Sequence, residues 1–278
     1  MRIGIIFLGN FPDMPHLNSM PDLPVALTIA GSDSGAGAGI QADLLTFSAH
    51  GVFGTTAITC LTAQNPSGVA GVQATPAAFV TEQCFQIYKY FKPKALKTGM
   101  LLDVEIVAAV ADFIREANIP SVVDPVMVAT SGATLLSPDA ISAMKSRLLP
   151  LATLVTPNLD EAAILLGEKA LGGQRCESEA LALAAKYKVP FLLKGGHASG
   201  DQLIDVLAWP NGETVVLTAQ RAQGVDTHGS GCTLSAAITA QLALGQPLKE
   251  AVILAHAYLQ QAIHNPLRVA GLRCIRHL

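Results

Sequence analysis

The residues best placed to do chemistry lie between Gly224 and Ile238, in the stretch GVDTHGSGCTLSAAI. It follows the β-branched run Thr214-Val215-Val216-Leu217-Thr218 and leads into an apolar run reaching Leu244, a pattern of strand, glycine-rich turn and helix start. Glycines at 229 and 231 remove two Cβ atoms, so the N–H groups of residues 229–232 can point into one concavity where the helix dipole adds positive potential. Gly229, Ser230 and Gly231 are therefore the expected anion hole. Cys232 stands at its rim, in the first turn of the helix, where that potential is expected to favour thiolate over thiol. The plain alternative is an ordinary turn followed by a packed cysteine.

Further candidates stand at the ends of apolar β-rich runs, where an open parallel sheet gathers its ligands. Asp124 ends the run Ser121–Val123, and Asn158 with Glu161 follows Thr153–Thr156. The two carboxylates could hold Mg²⁺ directly or through its waters, while the Asn158–Glu161 spacing also has the form of a helix capping box. Lys194, in Lys194-Gly-Gly-His197, follows another strand, where a cation could reach phosphate; the plain alternative is a solvated lysine at a strand end. Gln64 ends a strand that reads as buried, and its amide offers a donor and an acceptor side by side, matching the edge of an aminopyrimidine; from the residues alone Gln64-Asn65-Pro66 reads more simply as a plain turn. Asp43 falls at a helix start, where an acid complements the dipole. His228 precedes the anion hole and could orient its loop, whereas His50, His256 and His264 read as packing or surface residues.

A second glycine-rich stretch, Gly31-Ser-Asp-Ser-Gly35-Ala-Gly37-Ala-Gly39-Ile-Gln-Ala-Asp43, follows the first strand. Gly37-x-Gly39-x-x-Ala42 formally fits a dinucleotide fingerprint, but that motif wants an acid about 20 residues on, and no Asp or Glu occurs between Asp43 and Glu82. A Walker P-loop is excluded because Gly-Lys occurs nowhere in the chain.

Strands are predicted over 25–30, 55–61, 95–98, 121–123, 153–156, 190–193, 203–207 and 215–218. The longer patterns between them are helical. In Asp103 to Asn118, Val104, Val107, Ala108, Ala111 and Ile114 share one face, and Asp103 is the cap. Thr75-Pro76 and Ser137-Pro138 open helices with proline at the first helical position, and Leu248 to Ile263 is a last amphipathic helix. The alternation specifies an α/β domain with a mostly parallel sheet. We expect one domain over residues 23–264, an extension over 1–22 with Met20 as an alternative start, and a tail over 265–278.

Composition narrows the partners. With 18 basic and 21 acidic side chains and no run of Lys or Arg, the chain lacks the footprint of a nucleic-acid binder. No apolar run approaches the roughly 20 residues a membrane span needs. The five cysteines are widely spaced and never in a Cys-x-x-Cys pair, which suits a reducing cytoplasm.

The order AGSDSGAGAGIQADLLTFSAHGVFGTTAIT, TAQN, KTGM, VVDPVM, TPNLDEAAILL, LLKGGH and DTHGSGCTLSAAI resembles bacterial hydroxymethylpyrimidine/phosphomethylpyrimidine kinase, a ribokinase-like family of thiamine biosynthesis. The resemblance runs from about Val25 to Ile263. It implies the ribokinase-like fold, with helices on both faces of the sheet. It also implies ATP and Mg²⁺ as cofactors, a small-molecule pyrimidine substrate and, in the family's frequent form, a homodimer. By the same resemblance Asp43, Gln64, Met100 and Val126 line the pyrimidine pocket. Gly229, Ser230, Gly231 and Cys232 form the anion hole with Cys232 as general base, Lys194 contacts phosphate, Asn158 serves the nucleotide, and Asp124 and Glu161 serve Mg²⁺. A sugar kinase of the wider superfamily would carry aspartate at position 232. The rivals are a pyridoxal or pyridoxine kinase and a non-catalytic pyrimidine-binding protein on the same fold. The family usually closes with a glycine-rich GxGPxxH-like segment, whereas this chain ends Arg268-Val-Ala-Gly-Leu-Arg-Cys-Ile-Arg-His-Leu278, which reads as a divergent terminus.

Overall fold

Strands short enough to be buried on both sides, each followed by a helix, leave the chain one efficient way to hide its apolar side chains: a sheet with a helical layer against each face. The computed structural model describes residues 22–127, 136–167, 176–195 and 201–278, and has this form. In chain order the strands are β1 (Val25–Asp33), β2 (Phe53–Asn65), β3 (Gly68–Ala74), β4 (Ala95–Thr98), β5 (Ser121–Val123), β6 (Leu154–Val155), β7 (Phe191–Leu193), β8 (Gln202–Ala208), β9 (Thr214–Gln220), β10 (Leu267–Val269) and β11 (Leu272–Cys274). The helices are α1 (Gly39–Ala49), α2 (Ala77–Phe91), α3 (Val104–Ala117), α4 (Pro138–Ala143), α5 (Leu159–Leu166), α6 (Cys176–Tyr187), α7 (Ser230–Ala243) and α8 (Leu248–His264).

The main sheet runs β3-β2-β1-β4-β5-β6-β7-β8-β9. Its centre, from β2 to β7, is parallel, while β3, β8 and β9 are added antiparallel at the two ends. Successive residues face opposite layers. Leu27, Ile29, Val123, Val155 and Leu193 pack with α2, α3, α5 and α6, whereas Val122, Leu154 and Leu192 pack with α7 and α8. Ala26 and Phe47 meet Ala236 and Ala240 where α1 lies against α7. Small residues at that seam let the two helices that open on the functional loops approach closely.

Several local signals act as expected. Asp103 caps α3 through Ile106 N–H, Ser137 caps α4 with Pro138 behind it, and Asn158 with Glu161 forms a reciprocal capping box on α5. Three differences are instructive. Pro76 is the N-cap of α2 and not its first helical residue. The end of β2 is not buried: it projects beyond the body of the sheet with Leu61 51% exposed, and pairs there with β3, a fully exposed strand that the sequence pattern did not reveal. Residues 265–278, expected as a divergent tail, form the hairpin β10–β11 and then return to the core, where Ile275 packs among α7 and α8 residues. The expected extension over 1–22 falls outside the described residues apart from Asp22, as do Gly196 and His197 of the Lys194 loop.

Candidate active site

The carboxyl ends of β1, β4, β5, β6 and β7 deliver Asp33, Met100, Asp124, Asn158 and Lys194 to one edge of the sheet, and α7 begins against the same edge. Three groups of contacts organise this edge.

The first joins the two glycine-rich stretches. The Asp33 carboxylate accepts the N–H groups of Gly35, Gly37 and Ala38, tying the loop before α1 into a turn, and it also meets His228 Nε2 at 3.2 Å. Burial alone would raise the Asp33 pKa, but hydrogen bonds from His228, Gln64, Gly35 and Ala38 hold it at about 2. The same bond raises the pKa of His228 against the effect of burial, so each partner favours the other's charged form. The loops touch closely. Gly229 has φ +82°, and a Cβ built on it would lie 1.9 Å from the Gly37 carbonyl oxygen; one built on Gly37 would lie 2.8 Å from His228 Cδ2. His228 thus joins the loop before α7 to the loop before α1. Asp33, its partner across 195 positions of sequence, was missed.

The second group lies at the mouth of α7. Lys194 Nζ lies 3.1 Å from Asp124 Oδ1, and a Cβ on Gly231 would come within 3.1 Å of that Nζ, which puts the ammonium directly over the start of α7. Burial works against the Lys194 charge, but Asp124 and Glu161 outweigh it and raise the pKa. Thr233 N–H is the first to enter the helical ladder, on Gly229 O, leaving the Gly231 and Cys232 N–H groups outside that ladder at the helix mouth. One expected donor is lost, because Ser230 N–H closes a turn on Thr227 O. Asp124 also accepts from Thr156 Oγ1 and Ser235 Oγ, while the Glu161 oxygens accept from Met127 N–H and Asn158 N–H. Burial, opposed by Lys194, pushes Glu161 up to about 7. Asn158 is similarly engaged, its Oδ1 capping Glu161 N–H. Among the described residues no three His, Cys, Asp or Glu converge as a metal-ligand cluster. The two carboxylates fit a cation that takes most of its ligands from phosphate and water, which is Mg²⁺'s usual shell.

The third group lies beneath. Asp43 is fully buried, accepting from Thr28 Oγ1 at 2.6 Å and paired with Lys97 Nζ at 2.7 Å. This corrects the expected helix-start position of Asp43, which sits in the second turn of α1 with its side chain fully buried beneath the loops. Lys97, the lysine of KTGM, was missed; an isolated lysine within an apolar strand gives no sign that its carboxylate partner lies 54 residues earlier. Cys232 is next to this pair. Its sulfur accepts Gly39 N–H at the start of α1, and Lys97 favours its charge, yet burial outweighs both and the pKa stands at about 11. The expected thiolate is therefore a thiol in the free protein: loss of water costs the charged form more than the helix end and the lysine return.

Of the remaining expected pocket residues, Met100 and Val126 are half-buried, and Thr59 Oγ1 fixes Met100 through its carbonyl. Gln64 is half-buried at the projecting end of β2, its backbone bonded to Ser34 Oγ and its amide to Asp33. Gln64 and Met100 thus border the Gly31–Ala38 turn, with a Cβ on Gly31 reaching within 3.8 Å of Met100 Cβ.

Comparison with known proteins finds relatives along most of the chain. The family profile described as phosphomethylpyrimidine kinase matches residues 33–273. A hydroxymethylpyrimidine/phosphomethylpyrimidine kinase of Rhizobium meliloti is 50% identical over 244 residues, covering 86% of this chain and 90% of the relative. One of the same description from Escherichia coli is 46% identical, covering 77% and 81%. Among solved structures, an ADP complex of Bacillus subtilis pyridoxal kinase superposes with TM-score 0.83 at 35% identity, covering 92% of this chain and 98% of that one. The phosphomethylpyrimidine kinase of Clostridium difficile superposes with TM-score 0.74 at 37% identity, covering 86% and 99%. The fold is that of these vitamin kinases, and the chain belongs to the phosphomethylpyrimidine kinase family.

Proposed function

We propose that this protein transfers the γ-phosphoryl group of ATP to the hydroxymethyl oxygen of 4-amino-5-hydroxymethyl-2-methylpyrimidine, and then a second one to the resulting monophosphate. The observation that carries the reading is the Lys194–Asp124 pair, held against Gly231 at the mouth of α7 with Cys232 beside it. Phosphoryl transfer asks little covalent help of a protein; it needs the transferred group held in line and its charge met by cations and N–H donors. Lys194 and the Gly231 and Cys232 N–H groups would supply these, and Asn158 would flank the nucleotide. Asp124 and Glu161 would hold Mg²⁺ through its waters, and when bound the ion neutralises charge on the phosphates. Gln64 would read the aminopyrimidine edge, with Met100 and Val126 against the ring. The acceptor proton would pass to Cys232, for which the small thiolate fraction is the competent form. In the second transfer the acceptor is already an oxyanion, and Cys232 matters less.

The pyridoxal kinases among the solved structures favour a second reading, in which pyridoxal is the acceptor alcohol. A coupled ADP-release assay with the pyrimidine alcohol, its monophosphate and pyridoxal decides. We expect the highest kcat/KM with the two pyrimidines, and Gln64→Ala should harm their turnover far more than pyridoxal turnover. Preference for pyridoxal, or equal losses, would overturn the assignment. Binding with no ADP release from any of the three would leave a pyrimidine-binding protein.

A further inference from the structure

The C-terminal segment reaches the anion-hole loop on both flanks. Before the loop, Asp226 N–H donates to Arg273 O at 2.8 Å, and Asp226 pairs with Cys274 as a single parallel bridge; Asp226 Oδ1 in turn accepts His228 N–H. After the loop, His277 Nε2 lies 3.0 Å from Thr233 Oγ1, one residue beyond Cys232. His277 is itself fixed: its carbonyl accepts Tyr258 Oη at 2.7 Å, Arg276 N–H bonds Ala262 O, and Ile275 is buried among α7 and α8 side chains.

The Thr233 hydroxyl has one proton, and it lies 2.9 Å from Gly229 O, the carbonyl that also accepts Thr233 N–H. If the hydroxyl proton goes to Gly229, the proton between Thr233 and His277 must come from Nε2, which selects the Nε2–H form of a neutral imidazole. Burial supports neutrality by lowering the His277 pKa. His277 is then linked by two hydrogen bonds, through the Thr233 hydroxyl, to the carbonyl of the left-handed Gly229, whose orientation sets the mouth of α7.

We propose that His277 is a positioning residue for the anion-hole loop, acting through Thr233, with Arg273 and Cys274 as a second tether at Asp226. The proposal rests on the reading of Gly229–Cys232 as the phosphate-receiving loop. It gives a task to a terminus that departs in sequence from the family's usual ending.

The test compares His277→Leu, His277→Gln, Thr233→Val and the His277→Leu/Thr233→Val double variant, with Lys194→Met and Gly231→Ala in parallel. A misplaced loop is felt in the transition state, so His277→Leu should lower kcat about tenfold while both KM values stay within about twofold. His277→Gln offers an amide N–H in place of Nε2–H and should restore most of the rate. In a Thr233→Val background the His277→Leu change should cost little more. Unchanged kcat in a folded His277→Leu, multiplied losses in the double variant, or failure of glutamine to rescue at unchanged Tm would each overturn the proposal. Should His277→Leu not fold, Thr233→Val against Thr233→Ser carries the same comparison, since serine retains the hydroxyl, and equal rates would refute it. If Lys194→Met and Gly231→Ala also leave kcat intact, the anion-hole reading itself has failed; if they abolish turnover and His277→Leu does not, only the role of the terminus has.

Discussion

Cys232 in the free protein should meet an alkylating reagent as a thiol with little thiolate character. Its pKa is displaced from an ordinary 9.0 to about 11 because burial outweighs the help of Lys97 and Gly39 N–H. That displacement corresponds to about 2.7 kcal/mol against the charged form, and at pH 7.5 leaves ~1 sulfur in 3,000 ionised. Iodoacetamide modification, followed by mass spectrometry of the Cys232 peptide, should therefore be slow at neutral pH and still climb about tenfold per pH unit near pH 9, because the thiolate is the reacting form. The same peptide in urea supplies the unhindered reference. Slow access alone would lower the rate at every pH without displacing its midpoint, so the shape of the profile separates burial from ionisation. Asp43→Asn gives a second arm. Asp43 raises the cysteine pKa and is the partner of Lys97, so its neutralisation leaves the lysine with the sulfur as a counterion and should move the profile toward neutral pH. A wild-type midpoint below pH 8, or no movement in Asp43→Asn, would refute the balance of forces described here.

Three further outcomes follow from the geometry. Gly229→Ala places a Cβ 1.9 Å from Gly37 O at φ +82°, and should lower kcat/KM about 100-fold or more as the two loops part; a variant with near wild-type kinetics would show the loop contact to be dispensable. Asp33→Asn removes a carboxylate whose pKa is lowered from 3.8 to about 2, and its stabilisation of about 2 kcal/mol is present above pH 4 and lost as pH falls toward 2. Urea unfolding should accordingly separate the variant from wild type at pH 7 and bring the two together near pH 2. Glu161, raised from 4.5 to about 7, has the opposite sign: its contribution is present below pH 4.5 and disappears as pH rises through 7. Glu161→Gln should therefore narrow the fall in Tm between pH 5 and 8, while raising the Mg²⁺ concentration needed for half-maximal turnover; unchanged dependence on both would remove Glu161 from the site.

What the sequence made legible was local. Asp103, Ser137-Pro138 and the Asn158–Glu161 box announce their helices because donor and acceptor sit within one turn, and apolar runs announce strands because a parallel sheet buries both faces. The strand β3 was not legible, since Gly-Val-Ala-Gly-Val-Gln-Ala has two glycines and buries nothing; it exists by pairing with the overhang of β2. Within the site, the residue types at Asp124, Glu161, Lys194 and Cys232 could be picked out, but their charge states could not. Those depend on partners such as Lys97 for Asp43 and His228 for Asp33, and on burial that only packing decides.

The charge states also explain one another. Asp43 is matched by Lys97 and Asp124 by Lys194, so two lysines are consumed by two largely buried carboxylates. Glu161 and Cys232 are left over. Neither has a cation of its own, and each responds in the direction that burial dictates, Glu161 rising to about 7 and Cys232 to about 11. The retained protons are two answers to one shortage of positive charge. Without a ligand, ionising either group would leave an uncompensated anion beside Asp124, which already raises both pKa values. A sulfur so placed is poorly reactive in the empty protein, and removing the neighbouring carboxylate charge at Asp43 is the change that should free it.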